Sequence, residues 1–372
     1  MNTNRIILFF LKIPPPITGA TLTNKRVYDS LLINEHFSIR KIPISYANSL
    51  NALGKINTHK IYTFFSILLK LLKELLLNKP AIVYFQISPL GSAFYRDAIF
   101  VLIIKLFKTK ILFHLHGKGI KEASKNYLNR MLYKSVFHNS DIICLSTLLV
   151  SDIENVFKGK IHIVNNGVPD AALGKFKVIE RKQTDPINIL FLSNLIKSKG
   201  IIDFIQALRI LNNKNINFIA SIIGAEGDFS ANELSSIIAE ANLTHKVKYL
   251  GAMYGEDKND IIASNDILVF PTKNDIWGNV IIECMQFKLP VIATKEGAIP
   301  EIIDDGITGF LVEKDSPDQI ADKIEILKKN PSLLETMGKA ARKKYEEKYT
   351  LKIFEKNMID VFEKVIYNLK DR

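Results

Sequence analysis

Residues 270–303 read F-P-T-K-N-D-I-W-G-N-V-I-I-E-C-M-Q-F-K-L-P-V-I-A-T-K-E-G-A-I-P-E-I-I, and this run decides how the chain is organised. An apolar strand ends at Phe270, and a loop carrying Asp275 and Gly278 follows. A helix starts near Asn279 and runs Val280–Phe287 before a second apolar strand, Val291–Ala293. Strand, loop, helix and strand in that order describe one parallel crossover whose short Ile- and Val-rich strands are covered on both faces.

The alternation extends in both directions. Around the run stand strands Ile187–Leu192, Phe218–Ile223, Val247–Leu250, Ile267–Phe270 and Gly309–Val312, with helices Ile201–Leu211, Glu233–Ala241 and Gln319–Lys328. The first half repeats the pattern with strands Arg5–Leu11, Ile39–Ile44, Ala81–Ile87, Lys110–His116, Asp141–Leu145 and Ile161–Val164. Its helical stretches are Leu22–Ile33, Ile61–Leu77, Phe94–Phe107 and Tyr127–Phe137. The expected fold is α/β, with two doubly wound parallel-sheet domains facing a central cleft and ligands beyond the carboxyl ends of the strands. The first domain is expected over 1–172 and a polar, basic linker over 173–186. The second is expected over 187–351, with a closing helix at about 352–372 packed back on the first. A length of 372 residues is itself long for one domain.

Charge is uneven. Residues 1–180 hold 24 Lys and Arg against 10 Asp and Glu, and residues 181–372 hold 26 against 28. A basic half beside a near-neutral one asks for an anionic partner. Nucleic acid is not expected, since no helix-turn-helix, zinc finger or RNA-binding signature occurs. An anionic membrane surface accounts for the same charge. Phe94–Phe107 and Ile61–Leu77 are the best amphipathic candidates for it; the ordinary alternative is that both are helices packed on the first sheet, which is favoured for Ile61–Leu77. No apolar run reaches the roughly 18 residues of a membrane span. The N-terminal strand shows no cleavage pattern, and Cys144 and Cys284 make no disulfide framework, so a cytoplasmic protein is expected.

At the start of the helix near Asn279, backbone N–H groups and the helix dipole favour an anion. Asp275 and Glu283, on either side, are suited to accept hydrogen bonds from paired hydroxyls such as those of a sugar or ribose. Phosphate at the tip with hydroxyl-reading acids beside it describes a nucleotide sugar. The ordinary alternative is a solvated Asp275 and a Glu283 that pairs with a surface lysine. A second loop, Phe191–Gly200, reads F-L-S-N-L-I-K-S-K-G; Lys199 there is placed to neutralise a diphosphate, or is simply a lysine at a helix start.

The spacing of Asp275, Trp277-Gly278, Glu283 and Pro290-Val291-Ile292 resembles the signature of glycosyltransferase family 4, in which the second acid follows the first by eight positions. Asp275 stands where Glu is usual and Ile276 where glycine is usual. Further landmarks are Val164-Asn165-Asn166-Gly167-Val168, Gly224, and Val247–Gly251 before Glu256-Asp257. The resemblance implies a GT-B fold and metal-independent transfer of a sugar from a UDP- or GDP-linked donor with retention of configuration. It implies a glycan acceptor in cell-surface polysaccharide synthesis, lipid-linked if the basic half sits on the inner face of a membrane. It makes Lys199 the phosphate lysine, with Asn194 standing where arginine is common, and His116 a hydrogen-bonding partner of the donor sugar. Gly19, Asn194, Gly224, Gly278, Asn279 and Val280 are the other expected contacts, with no metal and no cofactor. His114, one pleat deeper than His116, is read as structural, and no third ligand completes a metal site with the pair. No carboxylate nucleophile is evident in the first half, which favours front-face displacement over a covalent intermediate. The competing readings are a non-catalytic nucleotide-sugar-binding protein or another GT-B enzyme such as an epimerase.

Overall fold

The computed structural model describes residues 6–46, 58–173 and 185–369. Most of the expected linker, residues 174–184, lies outside the described residues. The chain divides into two compact units, one formed by Met1–Gly167 with Lys352–Arg372, the other by Val168–Leu351.

The first unit runs β1 (Ile6–Lys12), α1 (Gly19–Asp29), α2 (Leu31–His36), β2 (Ser38–Ile44), α3 (Thr58–Lys73) and a π turn (Glu74–Asn78). It continues through β3 (Ile82–Phe85), α4 (Gly91–Leu106), β4 (Lys110–Leu115), α5 (Ile120–Ala123), α6 (Tyr127–Phe137), β5 (Asp141–Cys144) and β6 (Lys160–Ile163). All six strands pair in parallel in the order β2-β1-β3-β4-β5-β6. The order reverses between β1 and β3, the kind of switch point that opens a crevice at the carboxyl ends.

Side chains alternate across the sheet. Leu8, Phe10, Val83, Phe85 and Phe113 join Ile67, Leu71, Phe100, Val101 and Val136 in one buried cluster, so α3, α4 and α6 share a face. Ile61–Leu77 thus packs on the first sheet, though not with its whole surface. The expected single helix Leu22–Ile33 is two helices. Ser30 leaves helical geometry at ψ 116°, and its hydroxyl accepts the Ile33 N–H at 3.2 Å, starting α2 anew.

The second unit runs β7 (Ile187–Leu192), α7 (Ile201–Asn213), β8 (Phe218–Ile223), α8 (Ala231–Glu240), β9 (Val247–Tyr249), α9 (Gly255–Ser264) and β10 (Ile267–Phe270). Then come α10 (Asn279–Met285), β11 (Val291–Thr294), α11 (Ile299–Ile302), β12 (Gly309–Val312), α12 (Pro317–Lys329) and α13 (Pro331–Lys348). Its parallel order is β12-β11-β10-β7-β8-β9. The two ends of this unit are tied together. Arg342 grips the Asp170 carboxylate with two N–H groups at 2.9 and 2.6 Å, and the Tyr345 hydroxyl donates to Val168 O at 3.0 Å. A helix, α14 (Leu351–Tyr367), ends the described chain. Its Phe362 meets Phe9, Phe37 and Tyr84 of the first unit at ring distances of 5.2 to 5.8 Å, filling the sheet face opposite α3, α4 and α6.

Candidate active site

The loops after β7, β8, β10 and β11 interlock at glycines. A Cβ on Gly224 would lie 1.8 Å from Ser193 O, and one on Gly200 would lie 2.0 Å from Pro271 O. Either is impossible without moving backbone. Polar bonds complete the lattice: Lys273 N donates to Ser198 O at 2.7 Å, Ala225 N to the Asn194 side-chain oxygen at 3.2 Å, and Ala298 N to Ile276 O at 2.9 Å. The Asn194 side-chain oxygen thus splices two loops, and its amide N–H groups are not used in that bond.

Asp275 stands at the centre of this rim. Its Oδ1 accepts the N–H groups of Ile276, Trp277 and Gly278 at 2.7, 3.2 and 3.0 Å, which folds the turn into α10. Gly278, at φ +79°, begins that helix in the left-handed region, where a side chain is costly. The other oxygen, Oδ2, takes Lys199 Nζ at 2.6 Å, and Lys199 also donates to Asn274 O at 3.1 Å. Two sequence-predicted residues, 76 positions apart, thus form one ion pair. Asp275, expected to accept hydroxyl hydrogen bonds, already has partners on both oxygens. All three N–H groups of its turn and one lysine already use it.

Asn279 and Val280 open α10, half-buried, and Glu283 follows one turn on. At seven residues α10 is too short for its dipole to rank with the Lys199 charge. Glu283 is paired with Lys258 Nζ of α9 at 3.0 Å, both side chains largely covered. The ordinary alternative from sequence was right about the partner. Lys258 was not foreseen, although Glu256-Asp257, immediately before it on α9, was recognised.

His116 follows the last residue of β4 in the first unit. Its ring is partly covered while Nε2 is fully enclosed without a hydrogen-bond partner among the described residues, and burial pushes the imidazole down to about 3. It is therefore neutral at ordinary pH. His114, whose ring centre lies 4.1 Å away, is buried and also held well below its usual value, with Nδ1 2.6 Å from the Tyr84 hydroxyl. Gly19 is exposed as the first residue of α1, behind a Thr18–Thr21 capping box.

Sequence reasoning missed one polar cluster here. Lys12, the last residue of β1, donates to Asp97 at 2.7 Å, and Arg96 reaches the other oxygen at 2.6 Å. Burial alone would raise the Asp97 carboxyl, but Lys12, Arg96 and the Ser88 N–H outweigh it and hold it below the usual range. This carboxylate is fully engaged. Among the described residues, no group of three or more His, Cys, Asp or Glu is placed to hold a metal ion.

Comparison with known proteins follows this geometry. Residues 174–344 match the family model for glycosyl transferases group 1. The capsular polysaccharide biosynthesis glycosyltransferase CapM of Staphylococcus aureus is 31% identical over 255 residues, covering 63% of this chain and 66% of that protein. A solved glycosyltransferase from Rickettsia africae superposes over 98% of this chain and all of that one, with a TM-score of 0.77 at 20% identity. Anabaena HepE, solved in complex with UDP, superposes over 97% of this chain and all of that one, at 0.71 and 16%. The two solved structures share the fold, which is GT-B, and the two six-stranded parallel sheets of this chain are consistent with it.

Proposed function

We propose that this chain, which belongs to the glycosyl transferases group 1 and is a glycosyltransferase, moves a sugar from a nucleotide diphosphate to a glycan acceptor with retention of configuration. The observation that carries the reading is the Lys199–Asp275 pair at the rim of four interlocked loops. A diphosphate is a stronger anion than one carboxylate. It draws Lys199 forward while Asp275 keeps the turn shaped through its three N–H bonds. Glu283, held by Lys258, then accepts ribose or sugar hydroxyls.

Transfer then needs no metal and no covalent enzyme intermediate. The bond from the anomeric carbon to the phosphate oxygen breaks, the acceptor oxygen bonds that carbon on the same face, and its proton passes to the departing phosphate. Asp97 is not a nucleophile in this reading, because two cations and a backbone N–H occupy it. UDP is the nucleotide we favour, since HepE was solved with UDP, and the likeness to CapM supports a role in capsule or related surface polysaccharide synthesis. The acceptor is lipid-linked, and the enzyme works at the inner face of an anionic membrane, drawn by its basic first unit. No helix among the described residues is long and apolar enough to cross a membrane.

A panel of labelled UDP- and GDP-sugars with lipid-linked acceptors, read as released nucleotide, tests this. Turnover with one donor is expected, and Lys199→Ala lowers it about 10²–10³-fold. Binding without release favours a non-catalytic role. A trapped glycosyl-enzyme rules out front-face displacement.

A further inference from the structure

The covered faces of α3, α4 and α6 lie on the first sheet; their outer faces are apolar too. On α4, Tyr95, Ile99, Leu102 and Leu106 recur at the helical period and are 44 to 80% exposed, while Phe94, Ala98, Val101 and Ile104 are buried beneath them. A helix apolar on both sides belongs inside something. On α3 the outer stripe is Ile61, Tyr62, Phe65 and Leu69, each more than half exposed, and the π turn adds Leu76 and Leu77. On α6, Tyr127, Leu128 and Met131 continue it. The stripes are neighbours: Phe64 of α3 lies 4.9 Å from Phe100 of α4, Phe94 stacks on Tyr133 of α6 at 4.2 Å, and Tyr95 bonds Asn129. Together they form one layer.

Seven Lys and Arg residues lie on these three helices, among them Lys70, Lys73, Lys105 and Lys134, against one acid, the buried Asp97. A protein partner would need its own acidic rim around an apolar centre; a bilayer with anionic headgroups provides both at once, chains for the stripes and phosphates for the lysines. We infer that the outer face of the α3–α4–α6 layer is a membrane-docking surface, on which the first unit lies with its helices in the plane of an anionic lipid interface. This inference gives the reading of a membrane-associated enzyme a location, and rests on that reading for nothing but the choice of lipid as partner.

The test is co-sedimentation of the full chain with vesicles of phosphatidylcholine, alone or mixed with phosphatidylglycerol. Wild type binds the mixed vesicles at low salt. The combined change Leu69→Gln, Leu106→Gln and Leu128→Gln weakens binding at least about tenfold, since three exposed leucines no longer leave water. Lys70→Glu with Lys134→Glu weakens binding to the mixed vesicles alone. Ile219→Gln with Ile307→Gln, on the second unit, changes nothing. Leu102→Trp keeps the idea falsifiable should the triple variant fold poorly: its emission shifts to the blue only on vesicle binding. Wild type that ignores the mixed vesicles, or a folded triple variant that binds like wild type, overturns the assignment. So does a wild-type dimer that the triple variant dissolves, which makes a second copy the occupant. Nucleotide release is followed in parallel without vesicles; loss of turnover with intact docking removes the transfer reading and leaves this one standing.

Discussion

The two units share one architecture, six parallel strands wrapped by helices, yet they are finished differently. The first carries 27 Lys and Arg against 12 acids, the second 23 against 26. Of 25 large hydrophobic side chains exposed among the described residues, only Leu173, Ile219, Tyr254, Ile307 and Ile326 belong to the second unit. Their candidate residues differ in the same way. The second unit uses charges in ion pairs at a rim fixed by backbone contacts. The first unit offers neutral imidazoles and a buried ion cluster beneath an apolar exterior. A parallel sheet specifies none of this; the surface and the loops do.

Four changes sharpen or break the contrast. Lys12→Met is expected to act on the first unit most strongly, because it removes one of two cations from a carboxylate with no exposure. A loss of about 3–5 kcal/mol by chemical denaturation follows for a broken buried pair, and a loss below about 1 kcal/mol would mean that Arg96 suffices. Gly224→Ala should cost about 3 kcal/mol in the second unit, since neither Ser193 O nor the strand behind it can retreat; an unchanged melting temperature would show that the rim is pliant.

Acid acts on the first unit next. Folded His114 and His116 refuse the proton that the unfolded chain binds below the ordinary 6.5. The unfolded state then carries more protons, so stability present above that value is lost as pH falls; for His116 the loss runs toward about 3, by up to about 1.4 kcal/mol per pH unit, and His114 acts in the same direction. Denaturation at several pH values should show this slope, and His114→Asn should flatten it. Smallest of all, Lys214→Ala on the second unit removes an exposed lysine from Asp322 and Glu325, and the melting temperature should stay put.

The sequence made the strands legible because buried parallel strands are unbroken apolar runs, and Phe218–Ile223 lies where its pattern puts it. Lys199, Asp275 and Glu283 stood out through spacing. What spacing hides is partnership. Lys12 and Asp97 lie 85 positions apart, and Lys258 and Glu283 lie 25 apart on different helices, so no local pattern announces either pair. Nor does periodicity tell which side of a doubly apolar helix meets the sheet, which is why Ile61–Leu77 fitted a membrane-facing and a packed reading alike.

One feature of the chain path bears on how the enzyme is made. The first unit lacks Phe362 until the last helix emerges, so β1 and β3 wait with Phe9 and Tyr84 uncovered while Val168–Leu351 is synthesised. At translation rates of about 5–20 residues per second that interval lasts roughly 10–40 s. The first unit is thus completed only after the second has been made, and a nascent chain stalled before α14 exposes an unfinished aromatic face to any chaperone nearby.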